Sequence, residues 1–70
     1  MHWLFFYNAY AEQLFAIDYG TAEEIKEHIK MSTASCPYIR YWVHDNMLNI
    51  DFGRHDQFFK VYPAENFIEF

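Results

Sequence analysis

The stretch that decides the fold is residues 38–62, YIRYWVHDNMLNIDFGRHDQFFKVY. Apolar residues recur at every second position through most of it, which is typical of strands with one buried face. Asp45 and Asn46 form a two-residue turn signal, because both residue types tolerate the positive φ angles of tight hairpin turns. We therefore predict two antiparallel strands paired around this turn.

The register of this hairpin follows from its turn, because a slip of one residue would move every apolar side chain to the wrong face. With this turn, every pair on one face is apolar. The three pairs are Val43 with Leu48, Tyr41 with Ile50, and Ile39 with Phe52. On the other face Arg40 falls opposite Asp51, a pair of opposite charges that supports the same register. A third strand, ending before Pro63, sets Phe59 against Ile50 and Val61 against Leu48.

The first half of the chain predicts another strand pair and a helix. Two strand-like runs, residues 3–7 and 14–19, are separated by a polar stretch and closed by Gly20. Thr21 stands three residues before Glu24, which is the capping box that begins a helix. Its apolar stripe consists of Ala22, Ile25 and Ile29, and the helix should end within residues 32–37. The residues of the first hairpin expected to face the helix are Leu4, Phe6, Phe15 and Ile17.

These elements predict a single small α+β domain over residues 1–70. Its antiparallel sheet has about five strands with one helix on one face, in the order ββαββ(β). A chain of 70 residues buries roughly 60% of its unfolded surface and supports one core. Three strands from residues 38–62 should present one continuous apolar surface to the helix. Residues 66–70 are expected to add a short edge strand or to fold as a tail.

Charge and composition exclude several classes of function. The net charge is −5, from ten carboxylates and five cations, and the cations are scattered, so direct binding of nucleic acid is not expected. No apolar stretch reaches the roughly 20 residues of a membrane span, and we expect no membrane association. Cys36 is the only cysteine, which excludes an internal disulfide and favours the reducing cytoplasm.

Catalytic and metal-binding patterns are weak. The two His-Asp steps, at residues 44–45 and 55–56, fall in successive loops at opposite ends of the predicted sheet, where one tetrahedral site would need distortion. Cys36 precedes Pro37 without a nucleophile motif, so a partly buried thiol is the simpler interpretation. Two glycines are too few for a phosphate-binding loop. We predict no enzyme activity, no cofactor and no metal site.

Alternation sends a second set of apolar side chains to the face away from the helix. The chain has 16 aromatic residues among 70, more than one small core uses. We predict that this face binds a partner, with Trp42 as the anchor between Arg40 and His44. The other predicted binding residues are Phe58, Lys60, Tyr62, Trp3, Phe5 and Tyr7. The alternative is that the sheet coils on itself or that residues 67–70 fold over this face.

The acidic charge, the surplus aromatic residues and the missing catalytic motifs favour a small protein-binding module. It would act by occupying the surface of a protein partner, such as a host enzyme with a basic surface. Phage or mobile-element inhibitors of host nucleases and defence complexes, such as anti-CRISPR or anti-restriction proteins, are of this general type. The alternative is a homo-oligomeric structural or regulatory subunit, such as a homodimer, that pairs through the aromatic face or an edge strand. A third possibility is that bases of a single-stranded nucleic acid stack on the aromatic face, but the acidic charge of the chain disfavours this function.

Overall fold

The computed structural model describes residues 1–36, 38–54 and 56–65. The elements in chain order are β1 (His2–Asn8), β2 (Gln13–Gly20), α1 (Ala22–Ser32), β3 (Arg40–His44), β4 (Met47–Asp51) and β5 (Gln57–Tyr62). They form one antiparallel five-stranded sheet and one helix, so the predicted α+β class and element order are confirmed. The predictions for residues 66–70 lie outside the described residues.

The strand order is β2-β1-β5-β4-β3. The first hairpin and the later three strands therefore meet at a long-range ladder between β1 and β5, which runs from Trp3 opposite Tyr62 to Asn8 opposite Gln57. This ladder puts β5 at the centre of the sheet. The edges are β2 and β3.

The β3–β4 hairpin has the predicted register. Val43 lies opposite Leu48 and Arg40 lies opposite Asp51. The turn residues Asp45 and Asn46 have φ angles of 52° and 58°, in the left-handed region that such turns require. The pairs of Ile50 with Phe59 and Leu48 with Val61 are also confirmed. Ile39 precedes β3, so its expected pairing with Phe52 is not part of the ladder, and its half-buried side chain packs against the core instead.

Helix α1 begins at the predicted capping box. The Thr21 hydroxyl accepts a hydrogen bond from the backbone N–H of Glu24 at 3.2 Å, and Glu24 Oε1 accepts one from the backbone N–H of Thr21 at 3.0 Å. At the other end, the Thr33 hydroxyl donates to the carbonyl oxygen of Ile29 at 2.8 Å. Ile25 and Ile29 are fully buried, so the helix uses its narrow apolar stripe as expected.

The core lies between α1 and one face of the sheet, which we call the inner face. Its members are Leu4, Ile25, Ile29, Leu48, Ile50, Phe52, Phe59, Val61 and Ala64. The helix packs mainly against β1 and β2, and the half-buried Cys36 and Ile39 pack against the rest of the core. The predicted continuous surface under the helix is wrong at β3, because Tyr41 and Val43 remain 46% and 58% exposed.

A β-bulge changes the alternation of β2. The register with β1 shifts between Leu4, which lies opposite Asp18, and Phe5, which lies opposite Ala16. Ile17 is the extra residue and is 42% exposed, so the prediction that it faces the helix is wrong. Phe15 does lie opposite Phe6, but it is 49% exposed at the sheet edge and does not belong to the core.

Candidate functional site: the outer face of the sheet

The outer face, which points away from α1, consists of three rows of side chains across the strands. One row contains Tyr19, Trp3 and Tyr62, with Met47 and His44 at its far end. The middle row contains Ala16, Phe5, Lys60, Asn49 and Trp42. The third row contains Leu14, Tyr7, Phe58, Asp51 and Arg40. All nine residues predicted as partner-binding lie in these rows.

Aromatic contacts form two groups on this face, one beginning at the β2 edge and the other reaching the β3 edge. The ring centroids are 4.5 Å apart for Trp3 and Tyr19, and 6.4 Å apart for Trp3 and Phe5, Tyr7 and Phe58, and Trp42 and Phe58. The last pair meets edge to face, at 82°, a geometry that aromatic quadrupoles favour. We call these six residues, together with Tyr62, the aromatic cluster.

The aromatic cluster is held in place while much of its surface stays in solvent. Trp3, Trp42 and Tyr62 are 44%, 46% and 46% exposed, whereas Phe5, Tyr7 and Phe58 are partly buried. None of the described elements lies over this face. Because neighbouring rings and the sheet already restrict the exposed rings, they would lose little conformational entropy on contact with a partner.

Lys60 lies on the central strand, in the middle of the aromatic cluster. Its ammonium group donates a hydrogen bond to Asn49 Oδ1 and lies 5.2 Å from the centroid of the Tyr7 ring, within the range of a cation–π contact. Asn49 is only 4% exposed, and its Nδ2 donates to the carbonyl oxygen of Met47 at 3.2 Å. These bonds fix the amide of Asn49 so that its oxygen faces Lys60.

Arg40 differs from Lys60 because it has a carboxylate partner. Arg40 Nη2 donates to Asp51 Oδ2 at 2.9 Å, and Asp51 Oδ1 accepts from the backbone N–H of Gly53, also at 2.9 Å. The hydrogen bond from Arg40 to Asp51 and the negative charge of Asp51 raise the pKa of the Arg40 guanidinium. Asp51 itself is 8% exposed. The charge of Arg40 is therefore matched within the domain.

The negative charge of the domain lies mostly elsewhere. Asp51 is the one carboxylate in the three rows of described side chains, while Glu23 and Glu24 lie in the first turn of α1. Two negative charges there also suit the helix dipole. No carboxylate of the described residues forms an ion pair with Lys60. The outer face is thus apolar with a central positive charge, although the chain is acidic.

The remaining titratable groups do not assemble into a reactive site within the described parts of the chain. His44 Nε2 lies 3.2 Å from Asp45 Oδ2, but both side chains are largely exposed. His55 lies outside the described residues. The described residues contain no group of three metal-ligating side chains and enclose no pocket. Cys36 is half-buried against the core, as predicted.

Six residues of these rows were missing from the predicted site, and Tyr19 and Asn49 are the two whose contacts matter most here. Tyr19 belongs to it because the bulge at Ile17 turns its side chain outward to Trp3, and simple alternation gives no signal of that change. Asn49 could have been found, because the hairpin register that pairs Arg40 with Asp51 also places Asn49 opposite Trp42. A buried asparagine between apolar strand residues requires hydrogen-bond partners, and Lys60 is one of them.

Comparisons of the chain with protein-family models, with curated proteins and with solved structures found no match. Among the described residues, no helix has the length and apolar character needed to cross a membrane. The outer face therefore provides the chemistry from which a function can be inferred.

Proposed function

We propose that this protein is a cytoplasmic protein-binding module, without enzymatic activity of its own, whose outer face is covered by a protein partner. The observation that supports this most directly is the aromatic cluster, in which Trp3, Trp42 and Tyr62 are nearly half exposed. Contiguous exposed apolar surface marks interaction sites in soluble proteins. Tryptophan, tyrosine and arginine are also the residues that contribute most binding energy at interfaces.

The size of the effect can be estimated for Trp42. With 46% of the residue exposed and a tryptophan surface of up to about 250 Å², a partner could remove roughly 100 Å² from water. At about 25 cal/mol per Å² this contributes roughly 2–3 kcal/mol. That corresponds to a roughly 30- to 150-fold change in affinity. Trp42 is therefore the proposed anchor of the interface.

Such a module would act by occupying its partner's surface, as an inhibitor does. A preorganised face on which the described residues form no pocket suits the blocking of another protein better than it suits chemistry on a small substrate. A phage or mobile-element inhibitor of a host nuclease or defence complex is the specific form that we propose. The net charge of −5 would favour long-range approach to a host enzyme with a basic surface.

A homo-oligomer is the second candidate, and the β2 edge is the observation that favours it. Leu14, Phe15 and Ile17 on this edge strand are between 42% and 49% exposed, and the strand lacks the lysine and proline residues that protect many edges. Pairing of the outer faces is less favourable, because a two-fold axis through their centres would bring two Lys60 ammonium groups together.

The proposed function is tested by capture from a lysate of the native host with the wild-type protein and two variants. Combined substitutions Trp3→Ala and Trp42→Ala remove the two largest exposed rings, while Met31→Ala removes an exposed apolar side chain of α1 as a matched control. We expect a protein retained by the wild type and by Met31→Ala to be lost with the double variant. Identical retention by all three proteins would contradict the proposal.

The two candidates are separated by the solution mass measured over a hundredfold range of concentration. A monomer throughout that range would exclude the homo-oligomer. A dimer that persists in the Trp3→Ala, Trp42→Ala variant would place self-association at an edge strand and away from the outer face.

A further inference from the structure

Lys60 determines which chemistry a partner must bring to the outer face. It occupies the central strand of five and the middle row of the face, with Phe5 and Asn49 directly beside it on the neighbouring strands. A partner that covers both Trp3 and Trp42 lies across Lys60, because these rings belong to β1 and β3 on either side of it. Binding through the aromatic cluster therefore removes water from this ammonium group.

Dehydrating an ammonium group without a counter-ion is unfavourable by several kcal/mol. Inside the domain, Lys60 has a neutral amide oxygen and the face of Tyr7 as its contacts. The neighbouring cation Arg40 already has Asp51 as its carboxylate. The charge that compensates Lys60 in a complex must consequently come from the partner.

From this charge mismatch we infer that the outer face recognises an aspartate or glutamate side chain of its protein partner, with apolar side chains on either side of it. The carboxylate accepts hydrogen bonds from the Lys60 ammonium, and the flanking apolar groups cover rings such as Phe5 and Trp42. Asn49 is a positioning residue, because its fixed amide oxygen holds the ammonium in the middle of the face. The inference rests on the proposed function and adds the chemistry of the partner.

A carboxylate fits better than the phosphates of a nucleic acid. A single strand brings one phosphate with every nucleotide, and its affinity depends on several cations that replace the counter-ions. The three rows contain two cations, Lys60 and Arg40, and the second is already paired. The net charge of −5 opposes a polyanion further. One isolated cation within an aromatic cluster instead matches one isolated carboxylate within an apolar segment.

The experiment is a selection of short random peptides displayed on phage against the folded protein. We expect the enriched peptides to carry an aspartate or glutamate flanked by apolar or aromatic residues. For the strongest synthetic peptide, replacing that acid by its amide should weaken binding to the wild type by at least about tenfold. Against Lys60→Met, the acid and amide peptides should bind equally.

Two further variants keep this test independent of folding. Lys60→Arg retains the positive charge and should retain the preference for the acid, while Lys30→Met removes an exposed cation of α1 and should change nothing. If Lys60→Met fails to fold, Lys60→Gln replaces it, because glutamine keeps a donor for Asn49 while removing the charge. If Lys60→Met, or Lys60→Gln in its place, preferred the acid peptide over the amide peptide as strongly as the wild type does, the inference would be overturned.

The remaining outcomes separate the inference from the proposed function. Peptides that lose binding with Trp42→Ala but carry no acid would overturn the carboxylate inference and leave the protein-binding face intact. A selection that enriches no peptide, or only peptides indifferent to Trp42→Ala, would count against both. Tight binding of oligothymidylate that depends on Lys60 would overturn the inference in favour of a nucleic acid.

Discussion

Val43 and Leu48 lie directly opposite each other in the β3–β4 ladder and on the same face of the sheet, yet Val43 is 58% exposed and Leu48 is 2% exposed. The difference arises because β4 lies inside the sheet, over the core, whereas β3 is an edge strand and α1 packs mainly against β1 and β2. Two side chains of similar hydrophobicity thus contribute very differently to stability.

The first prediction follows from this pair. Leu48→Ala should lower the free energy of unfolding by about 2–5 kcal/mol, because it leaves a cavity in the core. Val43→Ala should lower it by less than about 1 kcal/mol, mainly through the strand preference of valine. Urea denaturation followed by circular dichroism measures both values. Losses of equal size would mean that the inner side of β3 is part of the core.

A second prediction concerns the β3–β4 turn. Asn46 has a φ angle of 58°, which glycine adopts freely and alanine adopts at a cost of about 1 kcal/mol. Asn46→Gly should therefore keep or raise the stability, and Asn46→Ala should reduce it by about that amount. Both variants keep the backbone carbonyl that accepts the hydrogen bond from the Ala64 N–H. The turn geometry would be contradicted if alanine proved as stable as glycine at this position.

The third prediction is a dependence of stability on pH through Asp18. His28 Nδ1 lies 2.7 Å from Asp18 Oδ2 and joins α1 to β2. The hydrogen bond from His28, and next the bond from the backbone N–H of Tyr19, lower the pKa of Asp18 below its usual value. Because the folded-state pKa is the lower one, this stabilisation is present above the unfolded-state pKa and is lost as the pH falls through the folded-state pKa.

Removing the Asp18 carboxylate should therefore flatten the acid side of the stability profile. In Asp18→Asn, the free energy of unfolding should fall less steeply below the usual pKa of an aspartate than it does in the wild type. Asp45→Asn serves as the control, because the side chain of Asp45 is 86% exposed in the turn. Urea midpoints measured from neutral to acid pH test this, and identical acid slopes for wild type and Asp18→Asn would contradict it.

The fourth prediction compares the two members of the Arg40–Asp51 pair. Asp51→Ala should destabilise the domain by roughly 1–3 kcal/mol, since it removes the acceptor of both the Arg40 guanidinium and the Gly53 N–H. Arg40→Ala should have the smaller effect, because the Arg40 side chain is 70% exposed and water can replace it. The Arg40→Ala loss should also shrink as salt is added. The reverse order of the two losses would argue against this pairing.

Several features of the fold could be predicted from the sequence because they depend on residues close together in the chain. The positive-φ turn at Asp45 and Asn46 set the register of β3 and β4, and the Thr21 and Glu24 pair set the start of α1. The alternation of side chains along the strands assigned Trp42, Phe58 and Lys60 to one face of the sheet. Each depends on backbone preferences or on the two-residue period of a strand.

Other features depend on how distant segments meet. The bulge opposite Leu4 and Phe5 depends on the fit of β2 to β1, and it alone decides that Tyr19 faces outward and that Asp18 faces His28. The approach of Asn49 to Lys60 depends on pairing between separate strands. One extra residue in a ladder reverses the faces of all that follow, and composition alone gives no indication of it.

The sequence by itself determined that the sheet has two apolar faces and that one predicted helix, at residues following Thr21, covers one of them. The tertiary structure decided which side chains are buried: Leu48 lies in the core while Val43, its partner across the ladder, stays in solvent. It also decided that a single ammonium group lies at the centre of the uncovered rings. The physical reason is that alternation assigns a residue to a face, whereas burial and charge pairing depend on which distant segments pack against that face.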